Sequence, residues 1–198
     1  MLSLEDGRLA VCFARLVVES RVRKVDVDES ELSSVFSEER GVFVTLSTFP
    51  EGDLRGCIGI PMPIMSLREA LIESGRSVVR DPRFLPLSEE ELEKVVVEVS
   101  VLTPPRVLTV DSPKEYLERI VVGRDGLIVE KGGYRGLLLP QVPVEWDWDV
   151  KTFLEQTCAK AGLSHDEWKS GDVRILSFSA QIFSEKSPCG VVEERSFE

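Results

Sequence analysis

Leu54-Arg55-Gly56-Cys57-Ile58-Gly59 sets a thiol, a guanidinium and two glycines in one short stretch that otherwise reads as a β-strand. A thiol two residues from a guanidinium can be drawn toward its thiolate, the form that attacks electrophiles and binds metals. Glycine is unusual in such a strand, because it packs no side chain and loses the most backbone freedom on folding. Two glycines therefore mark a close approach to the backbone, by a ligand or by a neighbouring strand or helix. Strand parity puts Leu54, Gly56, Ile58 and Ile60 on one apolar face and Arg55, Cys57 and Gly59 on the other. A bulge at either glycine would break that division. Cys57 and Arg55 are the candidate catalytic residues, with Gly56 and Gly59 as candidate ligand contacts. The opposing reading is equally concrete. Free cysteine is among the most buried residue types, and an arginine in an acidic chain readily pairs with a carboxylate.

A cysteine nucleophile needs a base. The chain has one histidine, His165, which falls at an expected helix start and is expected to face solvent. That single histidine also removes multi-histidine metal sites. Four cysteines, Cys12, Cys57, Cys158 and Cys189, are widely spaced and form no CxxC pair, so no zinc ribbon and no other metal site is expected. Two further clusters carry polar chemistry. In Arg80-Asp81-Pro82-Arg83-Phe84 two arginines flank a helix stop, and Arg83 is a candidate fork for a carboxylate or phosphate; the alternative is an ordinary charged helix end. Downstream, Leu139-Pro140-Gln141-Val142 precedes Glu145-Trp146-Asp147-Trp148, where Gln141 and Glu145 are candidate polar contacts beside an aromatic wall. The alternative there is a strand end with packed indoles. Gly132-Gly133 is too short for a phosphate loop, no dinucleotide glycine pattern occurs, and no cofactor is expected.

These residues sit in a chain of 198 residues, enough for one sizeable core or two smaller ones. Asp and Glu outnumber Lys and Arg by 35 to 24, a net charge of −11 that disfavours nucleic acid and anionic membrane surfaces. The apolar runs are too short to cross a bilayer, and the first residues, with Glu5 and Asp6, do not resemble a positively charged leader. The expected compartment is the cytoplasm, with free thiols.

The elements that must position the candidates follow from periodicity. Ser3 to about Lys24 reads as a helix with Leu9, Cys12, Phe13, Leu16 and Val17 inward. Residues 25–40 read as an acidic connector with a short turn. Gly41–Ser47 is a strand, Phe49–Asp53 a turn, and Leu54–Ile60 the returning antiparallel strand. Ser66 opens a helix that stops at Asp81-Pro82. Ser88–Glu91 is a capping box before another short helix, and Val95–Leu102 is a strand. From Ser112 the pattern changes to a helix start, then short strands at 120–122, 126–129 and 136–139. Asp149–Leu163 is a helix, Val173–Glu185 one long strand rejoining the main sheet, and the segment from Lys186 a loosely held tail. The expected fold class is α+β in two unequal lobes with a cleft between them. Residues 1–110 and 149–185 form the main lobe of mainly antiparallel sheet with packed helices, and residues 111–148 a small β-rich lobe.

The chain resembles the AMMECR family, whose hallmark hexapeptide stands here as Leu54-Arg55-Gly56-Cys57-Ile58-Gly59. Further matching pieces are Gly41-Val42-Phe43-Val44-Thr45, Asp81-Pro82-Arg83-Phe84, Glu98-Val99-Ser100-Val101-Leu102, Leu139-Pro140-Gln141-Val142, Trp148-Asp149 and Phe153-Leu154, in that order from about Leu9 to Glu185. The texture is that of an archaeal member. The resemblance implies a two-lobed α+β domain with the hexapeptide in or near the cleft. It implies candidate positions and no particular reaction. It also implies a protein partner from a pathway with a Memo-like protein and a radical-SAM protein. On residues and resemblance together, the expectation is a cytosolic enzyme or small-ligand binder centred on Leu54–Gly59. The alternative is a non-catalytic interaction or regulatory module, with nucleic acid the less favoured partner.

Overall fold

The computed structural model describes residues 2–26 and 32–195. They divide into two units: one runs to Leu102 and resumes at Gln181, and the other is Thr103–Ala180. Helix α1 (Leu4–Arg23) opens the first unit. Ser3 caps it by accepting from the Asp6 N–H at 3.1 Å while Asp6 accepts from the Ser3 N–H at 3.3 Å. Lys24 ends it in the left-handed region, at φ 58°. Its buried side is Ala10, Val11, Phe13, Ala14, Val17 and Val18. Cys12 and Leu16, expected inward, are exposed: the rows through residues 10, 14, 17 and 11, 18 form the centre of the apolar stripe and leave these two beyond its edge.

Strands β1 (Gly41–Thr48), β2 (Leu54–Ile60) and β3 (Val95–Leu102) follow, with α2 (Leu67–Val78) between β2 and β3. Helix α2 starts on a Ser66–Glu69 capping box. With β8 (Ala180–Glu185) and β9 (Val192–Arg195) the strands form one sheet in the order β2-β1-β3-β8-β9. Val42, Val44 and Leu46 of β1 and Val95, Val97, Val99 and Val101 of β3 are buried with α1 and α2 in one core. A Cβ built on Gly75 of α2 would stand 2.8 Å from Val17 Cγ1, so the two helices cross too closely for any larger residue there. Arg15 of α1 is buried and grips Glu185 of β8 through Nε (3.0 Å) and Nη2. It also donates to the carbonyls of Leu92 and Val95 at 2.9 and 2.7 Å. Glu185 in turn accepts the Val97 N–H at 2.9 Å. Every polar arm of this buried pair is satisfied, the condition under which such a pair is tolerated.

The second unit holds β4 (Arg106–Val107), α3 (Lys114–Arg119), β5 (Gly126–Lys131), β6 (Tyr134–Leu138), α4 (Gln141–Glu145), α5 (Val150–Lys160) and β7 (Arg174–Phe178). Its sheet runs β4-β7-β5-β6. Phe153, Leu154 and Cys158 of α5 pack with Leu127, Val129, Ile175 and Tyr116.

The α+β class with two sheets holds, and four local expectations are corrected. Val173–Glu185 is not one strand: it breaks at Ser179, and its halves join different sheets. Residues 149–180 consequently belong with the second unit and not with the first. Alternation along a strand tells which side chains point together, not which strand lies alongside. Residues 120–122 are not a strand; Ile120 ends α3, and Asp125 accepts the Val121 N–H at 2.9 Å to hold a turn. The segment after Lys186 is not loose throughout, because Val192–Arg195 pairs with β8 and Val192 is buried. In the expected connector, Ser34–Ser37 forms a turn of 3-10 helix, and residues 27–31 lie outside the described residues.

Candidate functional site

The hexapeptide is β2, the edge strand of the first sheet. In an antiparallel pair every second residue turns its N–H and C=O away from its partner strand. Cys57 is such a residue, and the open edge beside it is filled. Its N–H donates to Asp81 Oδ2 at 2.9 Å, and its carbonyl accepts from Arg83 Nη2 at 3.3 Å. Asp81 holds Arg83 by Nε (3.0 Å), by Nη2 (2.6 Å) and by its backbone N–H (3.1 Å). The Asp81-Pro82-Arg83 arc thus occupies the place a further strand would take.

Arg55 does not share a regular face with Cys57. The register passes from Leu46↔Gly56 to Ser47↔Leu54, so Arg55 is the extra residue of a bulge. It turns to Glu91, donating from Nε at 2.7 Å and from Nη2 at 3.1 Å, and to the Leu85 carbonyl at 2.9 Å. Arg55 and Arg83 lie over the same ring, Phe84, at 5.8 and 5.6 Å from its centroid. Each such contact contributes about 0.5–1 kcal/mol. The two arginines are thereby fixed by one carboxylate each and by a shared aromatic. Leu85, the next residue, is 84% exposed.

The thiol is not activated. Burial pushes the Cys57 thiol above its ordinary value of 9.0; the Thr45 hydroxyl and the charge of Arg83 oppose this, and Glu98 and Asp81 add to it. Thr45, opposite Cys57 on β1, donates its hydroxyl to Sγ at 3.3 Å. The cation acting on the thiol is therefore Arg83, while Arg55 serves Glu91. The carboxylates show the reverse shift. The Arg83 guanidinium holds Asp81 far below the usual carboxylate range, and the Arg55 guanidinium brings Glu91 down to about 2. Both are anions at any ordinary pH.

The glycines answer to the chain's own packing. A Cβ on Gly56 would stand 3.0 Å from the Val78 carbonyl at the end of α2. One on Gly59 would stand 2.3 Å from the Val42 carbonyl and 2.4 Å from the Phe43 ring. The close approach inferred from the sequence is a helix end at one glycine and a neighbouring strand at the other.

A family model described as AMMECR1 matches residues 11–183. The chain belongs to the AMMECR1 family. It is 53% identical to a protein of Methanocaldococcus jannaschii, over 98% of each chain. It is 49% identical to one of Aquifex aeolicus, over 86% of this chain and 87% of that one. A crystal structure of an uncharacterized protein from Pyrococcus horikoshii superposes with a TM-score of 0.93 at 45% identity, covering 99% of each chain.

In this AMMECR1 chain the remaining candidates, Gln141 and Glu145, stand at the two ends of α4 in the second unit. Gln141 is buried and its Oε1 has no hydrogen-bond partner, whereas Glu145 is exposed. Trp146 and Trp148 stack at 6.1 Å, and Trp146 is exposed. His165 also belongs to the second unit and is exposed. Among the described residues no group of three or more His, Cys, Asp or Glu side chains could hold a metal ion, and no helix is long and apolar enough to cross a membrane. Asp81 and Glu91 were not legible as site residues, since one reads as a helix stop and the other as a capping-box acid. Glu91 is both: its Oε2 accepts from the Ser88 N–H at 2.9 Å and from Arg55. The available signal was Asp81 itself, an acid two residues before an arginine across a proline.

Proposed function

We propose that the protein is a non-catalytic interaction module whose recognition surface is the Arg83-Phe84-Leu85 arc braced on the hexapeptide strand. The observation that carries this reading is the commitment of the charged groups. Both guanidiniums are held by internal carboxylates, and Cys57 is kept a neutral thiol by burial. A nucleophile or an anion fork needs the opposite, a lowered thiol or a cation left to the ligand. Leu85 and half-exposed Arg83, held rigidly, suit a partner that buries apolar surface beside a paired charge.

The resemblance names the first partner to try, a Memo-like protein, in the cytoplasm. The test is binding of that purified protein by the full chain, followed by titration calorimetry or pull-down. Leu85→Asp should abolish binding without affecting the fold, since Leu85 is exposed. Cys57→Ser should bind as the parent does. Loss of binding on Cys57→Ser with an unchanged thermal midpoint, or full binding by Leu85→Asp, overturns the reading.

A further inference from the structure

The stretch Glu145-Trp146-Asp147-Trp148-Asp149 carries two tryptophans and three carboxylates, and no lysine or arginine lies between Arg135 and Lys151. Its backbone closes the end of α4. The Trp148 N–H donates to the Pro143 carbonyl at 2.8 Å and the Asp147 N–H to the Val144 carbonyl at 3.2 Å, with Asp147 at φ 52° between the two indoles. This pair of bonds is a common helix ending, and aspartate is one of the few side chains that enter the left-handed region readily. The turn brings the indoles together, 6.1 Å apart and 24° from parallel. Trp148 packs against the second core and so backs Trp146, which is itself 67% exposed.

The groups on this turn call for a cation. The face of an indole attracts positive charge. Among the described residues the chain's own cations lie over Phe84 and Trp168, and none lies over Trp146. Glu145 and Asp147, on either side of Trp146 in the chain, are exposed. Gln141, one helical turn before Glu145 on the same face of α4, is buried with its Oε1 unpartnered, a costly state for an acceptor. The complement of a π-face and several acceptors is a group that is cationic, flat and rich in N–H donors.

We propose that the Trp146–Trp148 turn docks an arginine side chain of a partner protein, the guanidinium lying flat on Trp146 with its edge turned to Asp147. A guanidinium keeps its in-plane donors while its face covers a ring, whereas an ammonium is compact and more strongly hydrated. The source is a protein and not a small free cation, because a ring so open to solvent does not enclose a small molecule. Such a contact gains its strength as one anchor within a wider interface. The net charge of −11 draws a basic partner toward the chain. The turn belongs to the second unit, so the inference stands apart from the arc on the hexapeptide strand.

The experiment titrates the nitrogen-15-labelled full chain with the blocked peptide acetyl-Gly-Arg-Gly-amide and with its citrulline counterpart, which keeps the shape and loses the charge. The three indole N–H signals are assigned with single Trp→Phe variants. The arginine peptide should shift the Trp146 indole and the Asp147 amide saturably and leave the buried Trp168 indole in place. The citrulline peptide should move neither. Trp146→Leu, at an exposed position, should weaken binding about 2–5-fold, read from the Trp148 indole, which is the range of an exposed cation–π contact. Asp147→Asn, which suits the left-handed turn, should weaken it in the same direction. An equal shift from the citrulline peptide, a shift that grows without saturating, or full affinity in either variant overturns the inference.

Discussion

At the scale of the residue, Cys57 shows how environment decides what a cysteine is for. The thiol and a guanidinium are two positions apart in the chain, yet the bulge at Arg55 turns that guanidinium to Glu91. The opposing influences on the sulfur are burial, which raises its pKa, and the Thr45 hydroxyl and Arg83, which lower it; burial is the largest. Alkylation of native Cys57 by iodoacetamide, followed against pH by peptide mass spectrometry, should therefore reach half its limiting rate above pH 9.0. A midpoint near neutrality would mean an activated thiolate and would return the catalytic reading to first place. The pairing of a thiol with a cation was legible in the sequence. Which arginine would act on it was not, because a glycine marks where a bulge is possible without fixing that one forms at Arg55.

At the scale of the element, β2 is an edge strand sealed by a loop. Asp81, with a side chain 1% exposed, accepts from the Cys57 N–H and from three donors of Arg83. Asp81→Ala leaves the Cys57 N–H and the arginine unanswered and should cost about 2–3 kcal/mol in urea unfolding. Asp81→Asn, which keeps an acceptor for the N–H, should cost less; equal losses would show that charge alone matters. The glycines of β2 also differ in what they face. Gly59→Ala drives a methyl into the backbone carbonyl of Val42, whereas Gly56→Ala meets contacts at 3.0 Å and beyond that can give by a few tenths of an ångström. Overpacking costs about 1–3 kcal/mol, so Gly59→Ala should lie at or above the top of that range and Gly56→Ala toward its bottom. Thermal unfolding of the two variants in parallel checks the order, and a larger loss at Gly56 contradicts it. The sequence marked both positions as close approaches but could not say to what.

At the scale of the whole molecule, the excess of carboxylates, net −11, makes acid the informative perturbation. Asp81 and Glu91 have folded values depressed from 3.8 and 4.5, and a depressed carboxylate contributes stability that is present above its unfolded value. That contribution is lost as pH falls from about 4.5 toward the folded values, about 2 for Glu91 and lower for Asp81. Urea midpoints should decline through this window, and Glu91→Gln should flatten the decline; a parent midpoint unchanged between about pH 6 and pH 3 would exclude the pairing as a source of stability. Taken by itself, the sequence determined the capped starts of α1, α2 and α5, the apolar alternation of β3, and the α+β mixture, but not α4, because capping residues and alternation act within about four residues. Only the tertiary structure decided that Val173–Glu185 splits between two sheets, that residues 149–180 join the second unit, and that Asp81 and Glu91 belong to the site. The last of these rests on partners 24 and 36 residues apart, Cys57 with Asp81 and Arg55 with Glu91. A contact at that separation is set by how the chain closes on itself, and no local preference of either residue encodes it.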